Sequence, residues 1–572
     1  MTLMRTRRHA AALLLGALAA HACDPAERAG AREARAALAV AESSFEAARR
    51  IGDAISIARA RGADRAEDGT PLAQLMEEGP ASLARLQAQL AAIDSMALDS
   101  LDRRALRTME RTAVAYAAAL APSATAAPEA AAGRPDCTYD AATIADSPDG
   151  LSALTARIYA CYGYAAEHVR YRNATLDRLT VLGRLPGTAS AAERERLFRA
   201  LEPVFRTIAG DGGAESPYRH LVRLSAERWR AEGSPVAGRA RRVGVEPERM
   251  EGWLVSILER WRDVTPDSLI EPWDYDYLAG HADRVLSPLV AARGLTTLNA
   301  GYYQALGADI DALGVHLDVE PRVGKTPVAF TDFGRRARLE NGRWVGGSEW
   351  IFATYRTSAG LGMLAELLHE TGHAVHIAAI RTRPAFLDWP DNDAFTEGLA
   401  DFVSLEVYEP AWQQRWLGDS VPVADGLRSR YAAIIMDVCW ALFEIRMHAQ
   451  PESDPNAVWT ALTSEYLHIR PHPELAWWAR RGQLIDSPGY MANYAIGAII
   501  IADLRARAKA VHGDFARGDT TWYPWVSERL YRFGLERPSR QVIEDFLGRA
   551  LSPDALLADL GRISAARGAR PR

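Results

Sequence analysis

Apolar residues recur three or four positions apart along most of this chain, the spacing that lays a hydrophobic stripe down an α-helix. The run 83–120, "LARLQAQLAAIDSMALDSLDRRALRTMERTAVAYAAAL", shows the pattern, and residues 24–120 as a whole read as amphipathic helices rich in Ala, Arg and Glu. The stretch 121–135, "APSATAAPEAAAGRP", has no period and reads as a linker or long loop. Helical spacing returns from 150 onward, broken at "LPGTAS" (185–190) and "GDGGAESP" (210–217). One clear β signal lies at 326–355, where "TPVAFTDF" and "SEWIFATY" flank the hairpin pair Asn341-Gly342. The pattern predicts a mainly α protein with a small antiparallel sheet or hairpin, and no internal repeat.

Behind that sheet comes "LLHETGHAVH" (367–376), where three histidines and a glutamate interrupt an apolar run. His369 and His373 are four apart, so a helix puts both on one face, with Glu370 projecting beside them. In such an HExxH helix two imidazoles bind zinc, and the glutamate takes a proton from water at the metal. A helix whose histidines are satisfied in the core or on the surface would carry the same letters, so a third ligand has to decide. Twenty residues past His373, "DAFTEGLADFVSLEVY" (393–408) begins a second helical segment containing it. Glu397 can supply the third ligand, and Asp401, four residues on, can accept a proton from the far nitrogen of a ligating histidine. An acidic pair at this spacing is usually a solvated face. Here Phe395, Leu399, Ala400, Phe402 and Val403 surround it, so the face should meet a core. His376 points away from the pair and reads as packing around the site or support for it.

On these residues the chain resembles a family. "HETGHAVH" followed by "FTEGLAD" is similar to the zinc core of the gluzincin peptidases of the thimet oligopeptidase and oligoendopeptidase F group. It is similar at the same place to the angiotensin-converting-enzyme group. "EPWDYDYLAGH" (271–281), "LDVEPRVGKTPVAF" (317–330), "GYMANYAIGAIIIADL" (489–504) and "FLGRALSPDALL" (546–557) extend the likeness, patchily, over 250–560. The resemblance implies an elongated helical molecule split by a deep channel, with one zinc ion at its floor and short peptides as substrates. It also implies that an edge strand pairs with the substrate backbone, for which "SEWIFATY" is the candidate. Tyr490 and Tyr494, four apart between Gly489 and Gly497, match the tyrosine-rich helix. Tyr494 is assigned to the oxyanion and Tyr490 to substrate contact, the alternative being an aromatic stripe in the core. The chain departs from both groups in "RRGQLIDSPGY" (480–490), which lacks the expected histidine; His468 and His472 are the nearest. Arg481 stands near where the converting-enzyme group carries a cation for a substrate carboxylate.

Composition adds the setting. Arg5, Arg7 and Arg8, then "AALLLGALAA" (11–20) and "AHAC" (20–23), form an export signal over 1–22. Its apolar run is far shorter than the roughly 20 residues a membrane span needs. Cys23 is either the lipidated first residue of an envelope lipoprotein, giving membrane attachment, or free after simple cleavage. The chain is thus expected in a bacterial cell envelope, periplasmic or lipid-anchored. Export favours a disulfide, placed at Cys137–Cys161, and leaves Cys439 in "MDVCWALF" as a buried thiol, unless all are reduced core cysteines. The net charge of −6 carries no basic block and argues against a nucleic-acid partner. Of 67 basic residues only Lys325 and Lys509 are lysine, so Lys325 in "PRVGKTP" stands out, either as a needed compact ammonium or as mutational chance. The organisation expected is a helical region and linker over 23–135 and a catalytic region over 136–572, with the zinc core at 348–410. Three functions fit: an exported zinc peptidase, in any of the endo- or carboxypeptidase modes, a zinc-containing envelope lipoprotein that binds peptides without turnover, or a hydrolase acting on non-peptide amides.

Overall fold

A computed structural model of the protein describes residues 25–120, 135–138, 150–210, 216–266, 268–322, 325, 329–355 and 360–568. The expected export signal, Cys23 and all of the expected linker except Pro135 lie outside them. The described chain is mainly helical, as its periodicity requires.

Three long helices come first, Pro25–Arg61, Leu72–Ala91 and Ser100–Leu120. Leu38, Ala41, Phe45 and Ala48 follow one another at spacings of three and four, and that stripe is buried with Leu86, Leu90, Leu106 and Met109. Phe386 from the later chain enters the same cluster. Beside it Arg383 holds Glu42 at 2.7 Å and Asp102 at 2.8 Å, tying the bundle to the remainder.

Residues 154–563 share a second, much larger apolar core. Its axis is the helix Val423–Ala449, buried on nearly every side. Trp440 and Trp459 stack at 5.0 Å along it, and Phe443 meets Trp478 at 5.3 Å. Cys439 is a buried free thiol on this helix, and Cys137 is bonded to Cys161, as the sequence suggested.

The sheets correct the sequence reading in part. A ribbon of β1 (Val169–Tyr171) and β2 (Ala174–Leu176) lies outside the expected β region. Near the histidine helix, β3 (Val315–Asp318), β4 (Phe330–Arg335) and β7 (Ser348–Phe352) form a mixed sheet in the order β3-β7-β4. β7 pairs parallel with β3 and antiparallel with β4. The expected edge strand, "SEWIFATY", is therefore the central strand, and β4 and β3 are the edges. The reason is burial: Ser348, Glu349, Ile351 and Phe352 are all buried, the near-continuous pattern of a strand covered on both faces. β3 carries little local signal, being four residues long and paired with a strand far along the chain. Asn341-Gly342 does make a hairpin turn, both residues having positive φ (50° and 76°). It closes a separate ribbon of β5 (Arg338–Glu340) and β6 (Arg343–Val345), inserted between β4 and β7.

Lys325 joins this sheet at its end. Its ammonium, 7% exposed, lies 2.7 Å from Asp318 O, 2.9 Å from Asp318 Oδ1, 2.9 Å from Glu320 O and 2.5 Å from Ala353 O. These oxygens come from the ends of β3 and β7 and converge on one nitrogen, a geometry that suits a compact ammonium and not a planar fork. Lys325→Arg should lower the free energy of unfolding by about 2–3 kcal/mol in chemical denaturation. Unchanged stability would leave the lysine to chance.

Candidate metal centre

The histidine helix (Leu361–Ala379) and the acidic helix (Asp393–Ser404) cross in backbone contact. At the crossing is Gly372: a Cβ built there would stand 2.3 Å from Ala400 O. The helix Met491–Val511 approaches the acidic helix in the same way. A Cβ on Gly497 would lie 3.2 Å from Ala394 O, and one on Gly398 3.4 Å from Gly497 O. Glycines at these positions bring three helices close enough for short side chains to meet.

His369, His373 and Glu397 meet there. Their donor atoms lie within 4.8 Å of one another. Glu397 Oε2 is 3.3 Å from His369 Nε2 and 3.8 Å from His373 Nε2. His369 Nδ1 is 2.7 Å from Asp401 Oδ1, which also accepts from Ser404 Oγ at 2.8 Å. With Nδ1–H donating to Asp401, the Nε2 lone pair of His369 faces the other two ligands. Burial alone would push His369 down, but the charge and hydrogen bond of Asp401, with Glu397, raise it well above the ordinary histidine range. Burial likewise opposes ionisation of Glu397, yet the two imidazoles beside it hold its carboxyl far below the usual value. Two nitrogens and a carboxylate arranged in this way could hold a divalent metal ion in place of the shared proton, leaving a position open for water.

Glu370, 6% exposed, is fixed by the neighbouring sheet. The Thr331 hydroxyl of β4 lies 2.7 Å from Glu370 Oε2 and 2.9 Å from its carbonyl, so it donates to one or the other. The strand that hydrogen-bonds to this glutamate is thus β4. Tyr355 lies near the same group. Its hydroxyl is buried without a hydrogen-bond partner, and burial, then Glu366 and Glu370, push its pKa upward. Sequence reasoning missed Thr331, Tyr355 and Trp389, whose ring meets that of His373 at 5.4 Å. Each is a common core residue until the fold brings it to the site.

Tyr490 and Tyr494 are half-buried, and Tyr494 packs at the margin of the large core. In the helix that follows Gly489, every residue from Met491 to Arg505 except Tyr494 is buried. Their rings meet edge-on at 5.6 Å. Burial and the neighbouring Tyr490 push Tyr494 up to about 12, and the charge of Glu397 raises both hydroxyls a little further. Both remain neutral hydrogen-bond donors near pH 7. The turn before them is held by buried Glu444, whose Oε1 accepts from Gly489 N at 2.7 Å.

Other candidates lie elsewhere. His376 is fully buried against Trp389 and Tyr531, neither ring nitrogen has a partner, and burial pushes it down to about 3. It is a neutral packing residue. His472 lies between Glu271 and Glu474, at 2.8 Å from each, and His468 Nε2 is 3.3 Å from Arg262 O, so neither supplies the histidine missing before Tyr490. Arg481 is paired with Asp437 at 2.5 Å and stands over Tyr494 at 5.8 Å, so its charge is already matched. No model of a known protein family matches the chain, and no curated protein matches it either.

The glycine crossing yields a test that needs no substrate. Gly372→Ala should force the two helices apart, lowering stability by about 1–3 kcal/mol and weakening metal binding, measured by thermal unfolding and metal titration. Native affinity in that variant would mean that the crossing does not set the ligand positions.

Proposed function

We propose that this protein is an exported, zinc-dependent peptidase acting on short peptides. The observation that carries the reading is the placement of Glu370 one residue from His369, buried and held by Thr331, beside the convergent His369, His373 and Glu397. Glu370 is not among the groups that could share the metal, which supports a base over a fourth ligand. The resemblance of 365–405 to the oligopeptidase zinc core supports the same reading, as does the export signal for its location.

A zinc ion would be held by His369, His373 and Glu397 and would supply a Lewis acid for the scissile carbonyl and acidify a bound water. Glu370 would take a proton from the attacking water and return it to the leaving amine. Thr331 orients the carboxylate by donating to it. Asp401 keeps the Nδ1 proton of His369 and hence its tautomer. Tyr494, neutral and only half-buried, offers a hydroxyl to the charge that develops on the carbonyl oxygen. Tyr490 touches the peptide. β4 is the strand available to run alongside the peptide backbone.

The second reading, a zinc-containing envelope lipoprotein that binds peptides without turnover, draws on one observation. His468 and His472 are both engaged with other partners, so neither takes the place of the histidine missing before Tyr490.

Incubation with a peptide library, read by mass spectrometry, separates the two. The wild-type protein should cleave with zinc and stop when zinc is chelated. Glu370→Gln should keep its zinc and lose turnover, whereas His373→Ala should lose the zinc itself. A Glu370→Gln protein that cleaves at the native rate would remove Glu370 as the base, and absence of cleavage by the zinc-loaded wild type would favour the binding protein. Tyr494→Phe should lower kcat by about 10²–10³ with KM and zinc content nearly unchanged; if kcat falls only in Tyr490→Phe, the two tyrosine roles are reversed.

A further inference from the structure

A cavity of about 1010 Å³ opens one side chain away from the metal ligands. Trp389 lines it on one side and touches the His373 ring on the other. Asp332, which follows Thr331 in β4, lines it as well. The opposite walls come from the first and third helices of the N-terminal bundle and from Arg242. Arg242 ends the short helix Ala237–Arg242, whose Arg239 lies over the Tyr490 ring at 5.2 Å. The cavity thus lies between the bundle, β4 and the helix that carries both Arg242 and Arg239.

Its lining carries five arginines and four aspartates, and the pairing among them is uneven. On the floor, Arg336 holds Asp53 at 2.7 Å, and Arg49 holds Asp388 at 2.7 Å. Asp391 accepts from Ser539 N at 2.8 Å and Ser539 Oγ at 2.5 Å. Asp332 takes the Phe333 N–H at 2.8 Å and the Ser56 hydroxyl at 3.4 Å. The aspartates are therefore used within the wall. Arg59, Arg111 and Arg242 have no carboxylate partner among the described residues; Arg59 reaches only Met76 Sδ, at 3.9 Å. Arg49, 4% exposed, also leaves its Nε without a hydrogen-bond partner. Unpaired guanidiniums around a concave site focus a positive field into it, and their planar forks match carboxylates.

We propose that this cavity is the subsite for a carboxylate carried by the peptide, an acidic side chain or a free C-terminus, with Arg59, Arg111 and Arg242 as its receptors. The inference rests on the peptide-substrate reading and assigns to the N-terminal bundle one wall of the binding site. Because the three arginines are exposed, binding through them should weaken as ionic strength rises.

The test is a binding measurement, so it does not depend on turnover. Zinc-loaded Glu370→Gln protein is titrated calorimetrically with alanine-based hexapeptides carrying Glu or Gln at each position in turn, each with a free or an amidated C-terminus. The charged member of at least one pair should bind about tenfold tighter than its neutral partner. A difference within a Glu/Gln pair assigns the site to a side chain, and one within an acid/amide pair to the C-terminus. Adding Arg59→Gln, Arg111→Gln and Arg242→Gln together should abolish that difference. Equal binding within every pair, or a preference that survives the triple change, overturns the subsite. If the preference and its loss are found but wild-type protein cleaves none of the peptides, the peptidase reading falls while the subsite stands. If wild-type cleaves them without any preference, the subsite falls alone.

Discussion

The backbone contact between Gly372 and Ala400 sets the geometry on which everything else at the site depends. A methyl group on residue 372 would place its carbon 2.3 Å from the facing carbonyl oxygen, so only glycine lets the histidine and acidic helices cross this closely. From that crossing follow the 3.3 Å and 3.8 Å separations of the two imidazoles from Glu397, and the 2.7 Å contact of Asp401 with His369. Gly398 and Gly497 repeat the device one helix further on and bring Tyr490 and Tyr494 alongside. The site is thus built on three helices whose positions are fixed by core packing, with β4 pressing Thr331 against Glu370 from the other side. Sites supported on helices and strands hold their geometry better than sites on loops.

This arrangement concentrates charge in an apolar setting. His369, His373, Glu370, Glu397 and Asp401 stand among residues such as Leu367, Leu368, Phe395, Leu399 and Phe402, which are at or near complete burial. Burying ionised groups is expensive unless they are paired. Here Asp401 takes His369 and Ser404, Glu397 lies against both imidazoles, and Glu370 takes the Thr331 hydroxyl. The opposed shifts of His369 and Glu397 are the electrostatic signature of that pairing. A divalent cation would satisfy the same groups with less compromise, which is the physical basis of the metal assignment.

Much of this was legible in the sequence because it is local. Spacings of four placed His369 with His373, Glu397 with Asp401, and Tyr490 with Tyr494, and a helix converts each spacing into a shared face. Asn341-Gly342 announced its turn by conformational preference alone. What escaped was non-local. Nothing in "VHLD" says that it pairs parallel with β7, and that pairing is what makes β7 a central strand and leaves β4 beside Glu370. Thr331 and Trp389 are ordinary in composition and acquire roles only from where the sheet and the Asp388–Asp391 loop carry them. The docking of the N-terminal bundle through Phe386, Arg383, Glu42 and Asp102 is likewise a tertiary event, invisible in an amphipathic stripe.

The central claim is that these convergent side chains form a metal centre of two histidines and one glutamate. X-ray absorption at the zinc edge, on protein loaded with one equivalent of zinc, tests it directly. The account predicts one tightly bound ion with four nitrogen or oxygen neighbours at about 2.0–2.2 Å and the multiple-scattering pattern of two imidazoles. A spectrum without imidazole, one with sulfur at about 2.3 Å, or protein that retains no zinc would contradict it.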